Sequence, residues 1–321
     1  MIGVVGLGWW GPNLARNFDE LGVLSALCDL DAEHRERYAR RYPQARMYGD
    51  FEELLADDGV EAVVIATPVP THYALARSAL AAGRHVLVEK PPAMRGDEID
   101  ELVTTAAERE LVLMPGHLLL YHPAVRKLKE LIDSGELGEV LCVYGNRQNL
   151  GIVRVNENAL WSLGVHDLSV ILYLLDEEPD ECVAHGRDFL TPGVEDVVFC
   201  YLRFPSGKIA HMHLSWLDPH KMRKMTIVGR EKMVVFDDME LDRKVTVYEK
   251  APWKRTDSYG EWQTRSGDIW IPKIATDEPL KLECQEFLRL VAGEGDRAKV
   301  AEDGARVVRA LDRLTESLRE R

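Results

Sequence analysis

Three glycines near the start of the chain have the spacing that phosphate binding asks for. Gly6, Gly8 and Gly11 form G-x-G-x-x-G directly after the short apolar run at 2–5. In such a turn the first glycine allows the sharp bend, the second lets the backbone approach a pyrophosphate, and the third lets the next helix pack closely. The helix that follows, expected over 13–21, turns its free N–H groups and positive dipole end toward the phosphates. Asp29 closes the next apolar run, 23–27, at 18 residues past Gly11 (29 minus 11). A carboxylate about there accepts hydrogen bonds from the ribose hydroxyls of a dinucleotide. It also repels a 2′-phosphate, and no Arg or Lys follows before Arg35. NAD is therefore expected over NADP. Asp31 is a ready N-cap for a helix over 32–41.

Two further residues have the chemistry of a proton-coupled step. Lys90 stands in Glu89-Lys90-Pro91-Pro92, directly after the apolar run 85–88. A lysine at a strand end can hold a substrate hydroxyl and stabilise alkoxide character as a hydride leaves. His166 lies four residues after Ser162 in 158–167, so the two share a face of the predicted helix. A histidine can take the hydroxyl proton near neutral pH. Thr67-Pro68, with Thr71 and His72, follows the apolar run 62–66, and His117 follows the run 112–115. Tyr121 and His122 read as a lead into a helix over 123–134. His211 and His213 alternate along a strand and face one side. No third ligand at diagnostic spacing accompanies them, and no metal is expected.

These residues need elements to hold them. Strand-like runs at 2–5, 23–27, 45–48, 62–66, 85–88 and 112–115 alternate with helical stretches at 13–21, 32–41, 50–55, 73–82 and 96–109. That alternation predicts an α/β fold with a parallel, doubly wound sheet. Ligands bind such sheets at the C-terminal strand edge, where Thr67 and Lys90 fall. The domain boundary is set at His117, giving a dinucleotide domain over 1–117 and a substrate domain over 118–321. In the second, strands are expected at 140–146, 182–186, 197–204, 209–216, 224–228, 233–237 and 244–248, with Pro205-Ser-Gly207 as a hairpin turn. The segment 257–277 lacks periodicity and reads as a loop, and helices over 279–292 and 301–320 close the chain.

The chain has 321 residues, a formal net charge of −14 and a pI near 5.2. Two domains are expected from that length, and the acidic balance argues against nucleic acid as a partner. Cys28, Cys142, Cys182, Cys200 and Cys284 are odd in number, widely spaced and set in apolar runs, so reduced thiols are expected. The strand at Ile2 leaves no room for a leader, and no apolar run approaches the length of a membrane span. A soluble cytoplasmic protein is expected.

Taken together, Gly6-Leu-Gly8-Trp9-Trp10-Gly11, Ala66-Thr67-Pro68 with Thr71 and His72, Glu89-Lys90-Pro91 and Gly164-Val-His166-Asp167 resemble the Gfo/Idh/MocA oxidoreductases, in order and spacing along essentially the whole chain. The resemblance implies an N-terminal Rossmann domain, then an α/β domain whose open, mostly antiparallel sheet covers the substrate and mediates homodimers or homotetramers. It implies that Gly6, Gly8, Trp9, Trp10, Gly11, Asp29, Thr67, Pro68, His72, Glu89 and Lys90 hold the cofactor, and that Lys90 and His166 are catalytic. It also implies a cis peptide at Lys90-Pro91 or its neighbour. Ser162 stands where many members carry Asp, so an Asp-His dyad is not kept in that form. The stretches 147–149, 158–167, 215–221 and 267–272 look like members that oxidise C3 of UDP-N-acetylglucosamine or its uronic acid. On that reading His117, Arg147, Asn149, Asn158, Trp161, Ser162, His166 and Lys221 bind the substrate. Arg147, Lys221 and Arg223 would serve a diphosphate or carboxylate, and Trp161 and Trp216 would offer flat faces. The alternatives are an inositol or polyol dehydrogenase of the same family, and a sensor that binds dinucleotide without turnover.

Overall fold

The computed structural model describes residues 1–151, 153–154, 157–254 and 262–319. It divides into two compact units, Met1–Tyr121 with Asp277–Arg309, and His122–Thr276 with Ala310–Arg321.

In the first unit, strands β1 (Ile2–Val5), β2 (Leu24–Cys28), β3 (Arg46–Tyr48), β4 (Ala62–Ile65), β5 (His85–Glu89) and β6 (Leu113–Gly116) form one sheet in the order β3-β2-β1-β4-β5-β6. Every pairing is parallel. This is the doubly wound order in which the strand sequence reverses beside β1. β1, β2 and β4 are buried at every position, as strands covered on both faces must be. Helices α1 (Gly11–Glu20), α2 (Ala32–Arg41), α3 (Phe51–Leu55), α4 (His72–Ala81) and α5 (Gly96–Glu108) make the crossovers. Asp31 and Asp50 cap α2 and α3 by accepting backbone N–H groups of the first turn.

The glycine turn is dictated by space. A Cβ on Gly11 would stand 1.7 Å from the Gly6 carbonyl oxygen. Gly6 has φ +89, and a Cβ there would stand 2.7 Å from the Ala66 carbonyl oxygen. The boundary expected at His117 needs one correction, because the chain returns. Helix α8 (Pro279–Val291) packs against α1, and its Leu280, Cys284, Phe287 and Leu290 join the core of Ile2, Leu14, Phe18 and Leu27. Phe18 and Phe287 meet edge to face at 6.4 Å between centroids.

The second unit carries helices α6 (Pro123–Asp133) and α7 (Val165–Leu175) and strands β7 (Val140–Gln148), β8 (Glu181–Arg187), β9 (Val197–Arg203), β10 (Ile209–Ser215), β11 (Met222–Gly229), β12 (Met233–Asp237), β13 (Val245–Lys254) and β14 (Trp262–Trp270). The sheet order is β14-β13-β12-β11-β7-β10-β9-β8. β7 and β10 run parallel and the other pairs antiparallel. Of the loop expected over 257–277, residues 257–261 lie outside the described residues, 271–277 forms no helix or strand, and 262–270 is corrected by β14, which is exposed at every position except its last. A strand with so little buried surface gives no apolar alternation to read. The last helix, α9 (Arg297–Arg319), has its final turns in this unit, where the Thr315 hydroxyl accepts the Trp161 indole N–H at 2.9 Å. Among the described residues no helix is long and apolar enough to cross a membrane.

Candidate functional site

In the first unit the expected cofactor residues collect at the C-terminal ends of β1, β2, β4 and β5. α1 begins without a side-chain cap; Pro12 has no N–H and the Asn13 N–H is taken by the Trp10 carbonyl at 2.9 Å, so what the turn offers an anion is the backbone around Gly8 and Gly11 at the positive end of the helix dipole. Beside it, a Cβ on Gly8 would meet no atom within 4 Å. That open backbone is where a pyrophosphate can approach. The residues present thus fit a dinucleotide.

Asp29 is tied into the same turn. Its Oδ2 accepts the Leu7 N–H at 2.6 Å and its Oδ1 the Asp31 N–H at 2.8 Å. His34 Nδ1 lies 3.3 Å from Oδ2, and the Arg35 guanidinium donates to the Asp29 and Leu30 carbonyls at 2.8 Å each. His34 escaped the sequence reading, because Asp29 alone carried the expected signal there.

At the end of β4, the Thr67 and Thr71 hydroxyls lie 2.7 Å apart, and Thr71 donates to the Pro68 carbonyl at 2.8 Å. His72 is buried. Its Nδ1 lies 2.8 Å from the Pro91 carbonyl oxygen and its Nε2 2.8 Å from that of Thr67. These contacts tie the β4 loop to the β5 loop. Lys90 follows β5 and its peptide to Pro91 is cis, as the resemblance implied. The Lys90 N–H donates to Glu89 Oε2 at 3.3 Å.

Behind Lys90 lies a buried polar group. Burial pushes the Glu89 carboxyl up to about 7, with Lys90 and the nearby Trp10 indole working against the rise. The Trp10 N–H stops short of a full hydrogen bond. Burial, helped by the charge of Lys90, pushes the His117 imidazole down to about 4, which keeps it neutral at neutral pH. Glu283 on α8 is 1% exposed and its Oε1 has no partner. Burial first, and the charge of Glu89 second, hold its carboxyl well above the usual range. Nothing in the local sequence of α8 announces this residue.

In the second unit, Asn158 organises the entry to α7. Its side-chain oxygen accepts the Trp161 N–H at 3.1 Å and its amide donates to Glu195 at 2.6 Å. Leu160–Gly164 is a π-helical turn, so Ser162 stands in a widened turn where a regular α-helix was expected. Such turns are frequent at functional sites. Ser162 is buried and His166 half-buried at the first turn of α7. Trp161 and Trp216 are core residues, 3% and 2% exposed, which removes both as open faces for a sugar. Arg147 on β7 is also buried, with Nε 2.8 Å and Nη2 2.7 Å from Asp167 Oδ1. Its guanidinium is committed to the protein, a correction to the expectation of a substrate arm. Arg223 sits directly across from Arg147 in the β7–β11 ladder and lies 3.4 Å from Asp238. Lys221 is exposed. The Asn149 N–H donates to the Ser215 carbonyl at 3.0 Å. His211 and His213 stack on Tyr144 and Phe199, at 5.1 and 4.3 Å between centroids. Among the described residues no three His, Cys, Asp or Glu side chains gather as a metal would need.

Comparison with known proteins agrees with this geometry. Residues 1–117 match the family described as oxidoreductase, NAD-binding Rossmann fold, and 125–235 match the GFO/IDH/MocA C-terminal domain. UDP-N-acetylglucosamine 3-dehydrogenase of Acidithiobacillus ferrooxidans is 29% identical over 73% of this chain and 73% of its own length. Its solved structure superposes with a TM-score of 0.84 at 25% identity, covering 99% of this chain and 97% of that one. Myo-inositol 2-dehydrogenase of Thermotoga maritima is 26% identical over 65% of this chain and 66% of its own length. The structure of GenD2 from gentamicin A biosynthesis, in complex with NAD, gives a TM-score of 0.80 at 25% identity over 98% of this chain and 93% of that one.

Proposed function

Because the chain belongs to the Gfo/Idh/MocA oxidoreductases, we propose that it transfers a hydride between a sugar hydroxyl carbon and NAD, with C3 of a UDP-N-acetylhexosamine or its uronic acid as the reacting carbon. NAD, when bound, supplies the hydride acceptor. The observation that carries the reading is the gathering, at one strand edge, of an uncapped helix N-terminus, the Asp29 carboxylate and Lys90. The ammonium of Lys90 holds the substrate hydroxyl and stabilises negative charge on its oxygen as the proton departs. His166 accepts that proton. His117, held neutral with its imidazole down at about 4, has too little basicity for that role and serves orientation. Ser162 contributes a hydroxyl and no charge toward His166.

A nucleotide-sugar substrate is supported by the likeness to UDP-N-acetylglucosamine 3-dehydrogenase. One observation favours a free polyol instead: Arg147, one of the cations expected to meet a diphosphate, is spent on Asp167. Lys221 then remains for a diphosphate, with Arg223 shared with Asp238 at 3.4 Å. The test is to add UDP-N-acetylglucosamine, its uronic acid and myo-inositol separately to protein with NAD and follow NADH absorbance. Reduction with a nucleotide sugar supports the first reading, and reduction with inositol alone supports the second. Bound NAD with no response to any substrate favours a sensor.

We also propose a homo-oligomer formed through the outer sheet face. Tyr144, His211 and Tyr201 stand in register across β7, β10 and β9, next to the His213–Phe199 pair. Phe199 is 52% exposed, and an apolar row of this kind on an open sheet invites a second copy.

A further inference from the structure

The strand order decides which end of the cofactor meets which residues. The glycine turn follows β1 and Asp29 follows β2, so a dinucleotide laid across the strand ends with its adenosine ribose at Asp29 carries its nicotinamide to the β4–β5 side. There Glu89 ends β5 and Lys90 follows it. The oxidised ring brings a positive charge to the side of the Lys90 ammonium, and the reduced ring brings none. Two cations in one place favour an anion beside them. Glu89 is half-buried, accepts the Lys90 N–H at 3.3 Å, and has its carboxyl carbon 3.4 Å from where a Cβ on Gly116 would stand. Within reach of its charge is Glu283, on the face of α8 that buries Leu280, Cys284, Phe287 and Leu290. Glu283 is 1% exposed and its Oε1 has no partner among the described residues. An unpaired carboxylate in such a place costs far more than the neutral acid, so Glu283 holds a proton at neutral pH.

We propose that Glu89 and Glu283 form a proton-holding carboxyl pair that answers the redox state of the cofactor, giving up a proton when NAD+ binds and keeping it when NADH binds. The inference rests on the cofactor assignment and not on which sugar reacts. In this step the O–H bond of one carboxyl breaks, its proton passes to solvent, and the carboxylate left behind offsets the charge of the oxidised ring; no electron moves. Burial lifts the Glu89 carboxyl to about 7, and burial, with the charge of Glu89, lifts Glu283 well above the usual range. A nearby positive charge pulls both down, so it moves the pair across neutral pH. The pyrophosphate is common to both forms of the cofactor and cancels from the comparison. Lower pH then favours NADH on the protein, and higher pH favours NAD+.

The neighbouring groups do not take this part. On α8, Glu278 is paired with Arg16 and Lys281 with Glu20, both of α1, and Glu286 is paired with Arg289. Burial first, then the charges of Glu283 and Glu89, push the Cys284 thiol far up, so it stays protonated. From α1, Asp19 accepts the Gln44 amide. The Trp10 indole before α1 acts on Glu89 but has no proton to give up in this range. The turn Leu118–Tyr121, packed against α8, brings the Tyr121 phenol. β4 and β6 carry no titratable side chain, and His117 after β6 is held neutral by burial. Lys90 is the cation that acts on Glu89.

The test needs no sugar substrate. Binding of NAD+ and of NADH to the full chain is measured by titration calorimetry at about pH 6 and about pH 8, either side of the Glu89 value, in two buffers of different ionisation enthalpy so that released protons are counted. NAD+ is expected to release up to about one proton more than NADH, and the ratio of NADH to NAD+ dissociation constants to rise about tenfold between the two pH values. Both effects are expected to vanish in the double variant E89Q/E283Q, whose glutamines keep the shape of the neutral acids. In E89Q alone the proton difference is expected to persist at higher pH, where Glu283 takes over. Infrared spectra of the wild type give a second reading that needs no variant: the band of protonated carboxyl should weaken on adding NAD+ and not on adding NADH. An undiminished difference in the double variant, its complete loss in E89Q alone, or an equal infrared response to both cofactors would overturn the pair while leaving the NAD site standing. Absence of binding by either cofactor would overturn the cofactor assignment and this inference with it.

Discussion

Arg147 and Asp167 form a buried ion pair at 2.7 Å that ties β7 to α7 directly beside His166. Removing one partner strands the other charge in the interior. D167N is expected to cost about 3–5 kcal/mol in denaturant unfolding, the range for breaking a buried pair. R147M is expected to lose comparable stability. A stable R147M protein with a raised KM would instead mark Arg147 as a substrate contact.

The two ring contacts of His72 join loops that leave neighbouring strands. H72A leaves the Thr67 and Pro91 carbonyls without their present partner. A neutral imidazole carries one N–H and donates to one carbonyl at a time, so a loss of about 1–3 kcal/mol is expected. NAD affinity should fall with it, because the β4 loop loses its anchor. Calorimetric binding beside thermal unfolding separates this outcome from a purely local change.

Glu283 contributes to the pH dependence of stability. A buried carboxyl whose native pKa lies above its unfolded value binds a proton in the native state that the unfolded chain gives up. Its contribution to stability is present below the unfolded value and is lost as pH rises toward the native one. Both Glu283 and Glu89 are raised in this way. E283Q cannot ionise, so its stability relative to wild type is expected to grow, by at most about 1.4 kcal/mol per pH unit, as pH rises above the unfolded carboxyl's range, and to level off once the native Glu283 carboxyl ionises. Urea unfolding at a series of pH values checks the slope, and parallel curves for the two proteins would contradict it.

The outer sheet face yields a prediction of its own. F199D places a charge in the exposed aromatic row without entering the core, since Phe199 is half exposed. The variant is expected to keep its fold by circular dichroism and to lose mass by light scattering to that of a single chain.

The dinucleotide half was legible because its signals are local. Glycine spacing, an aspartate at a strand end and a lysine before prolines each announce themselves within a few residues, and the alternation of elements gave the parallel sheet. What escaped depends on distant partners. His72 meets Pro91 19 residues on, Arg147 meets Asp167 20 residues on, and α8 returns to the first unit after the whole second sheet. β14 lies exposed and shows no pattern, and Trp161 looks like a sugar platform in sequence but is a core residue once Thr315 takes its N–H.

Lys90 is where the proposed chemistry is most exposed to refutation. The direct measurement is NADH formation from the responsive sugar by wild type and K90M, with NAD affinity determined for both proteins. The account predicts at least about a thousandfold loss of turnover in K90M, with NAD binding nearly unchanged. Turnover by K90M at the wild-type rate would contradict it.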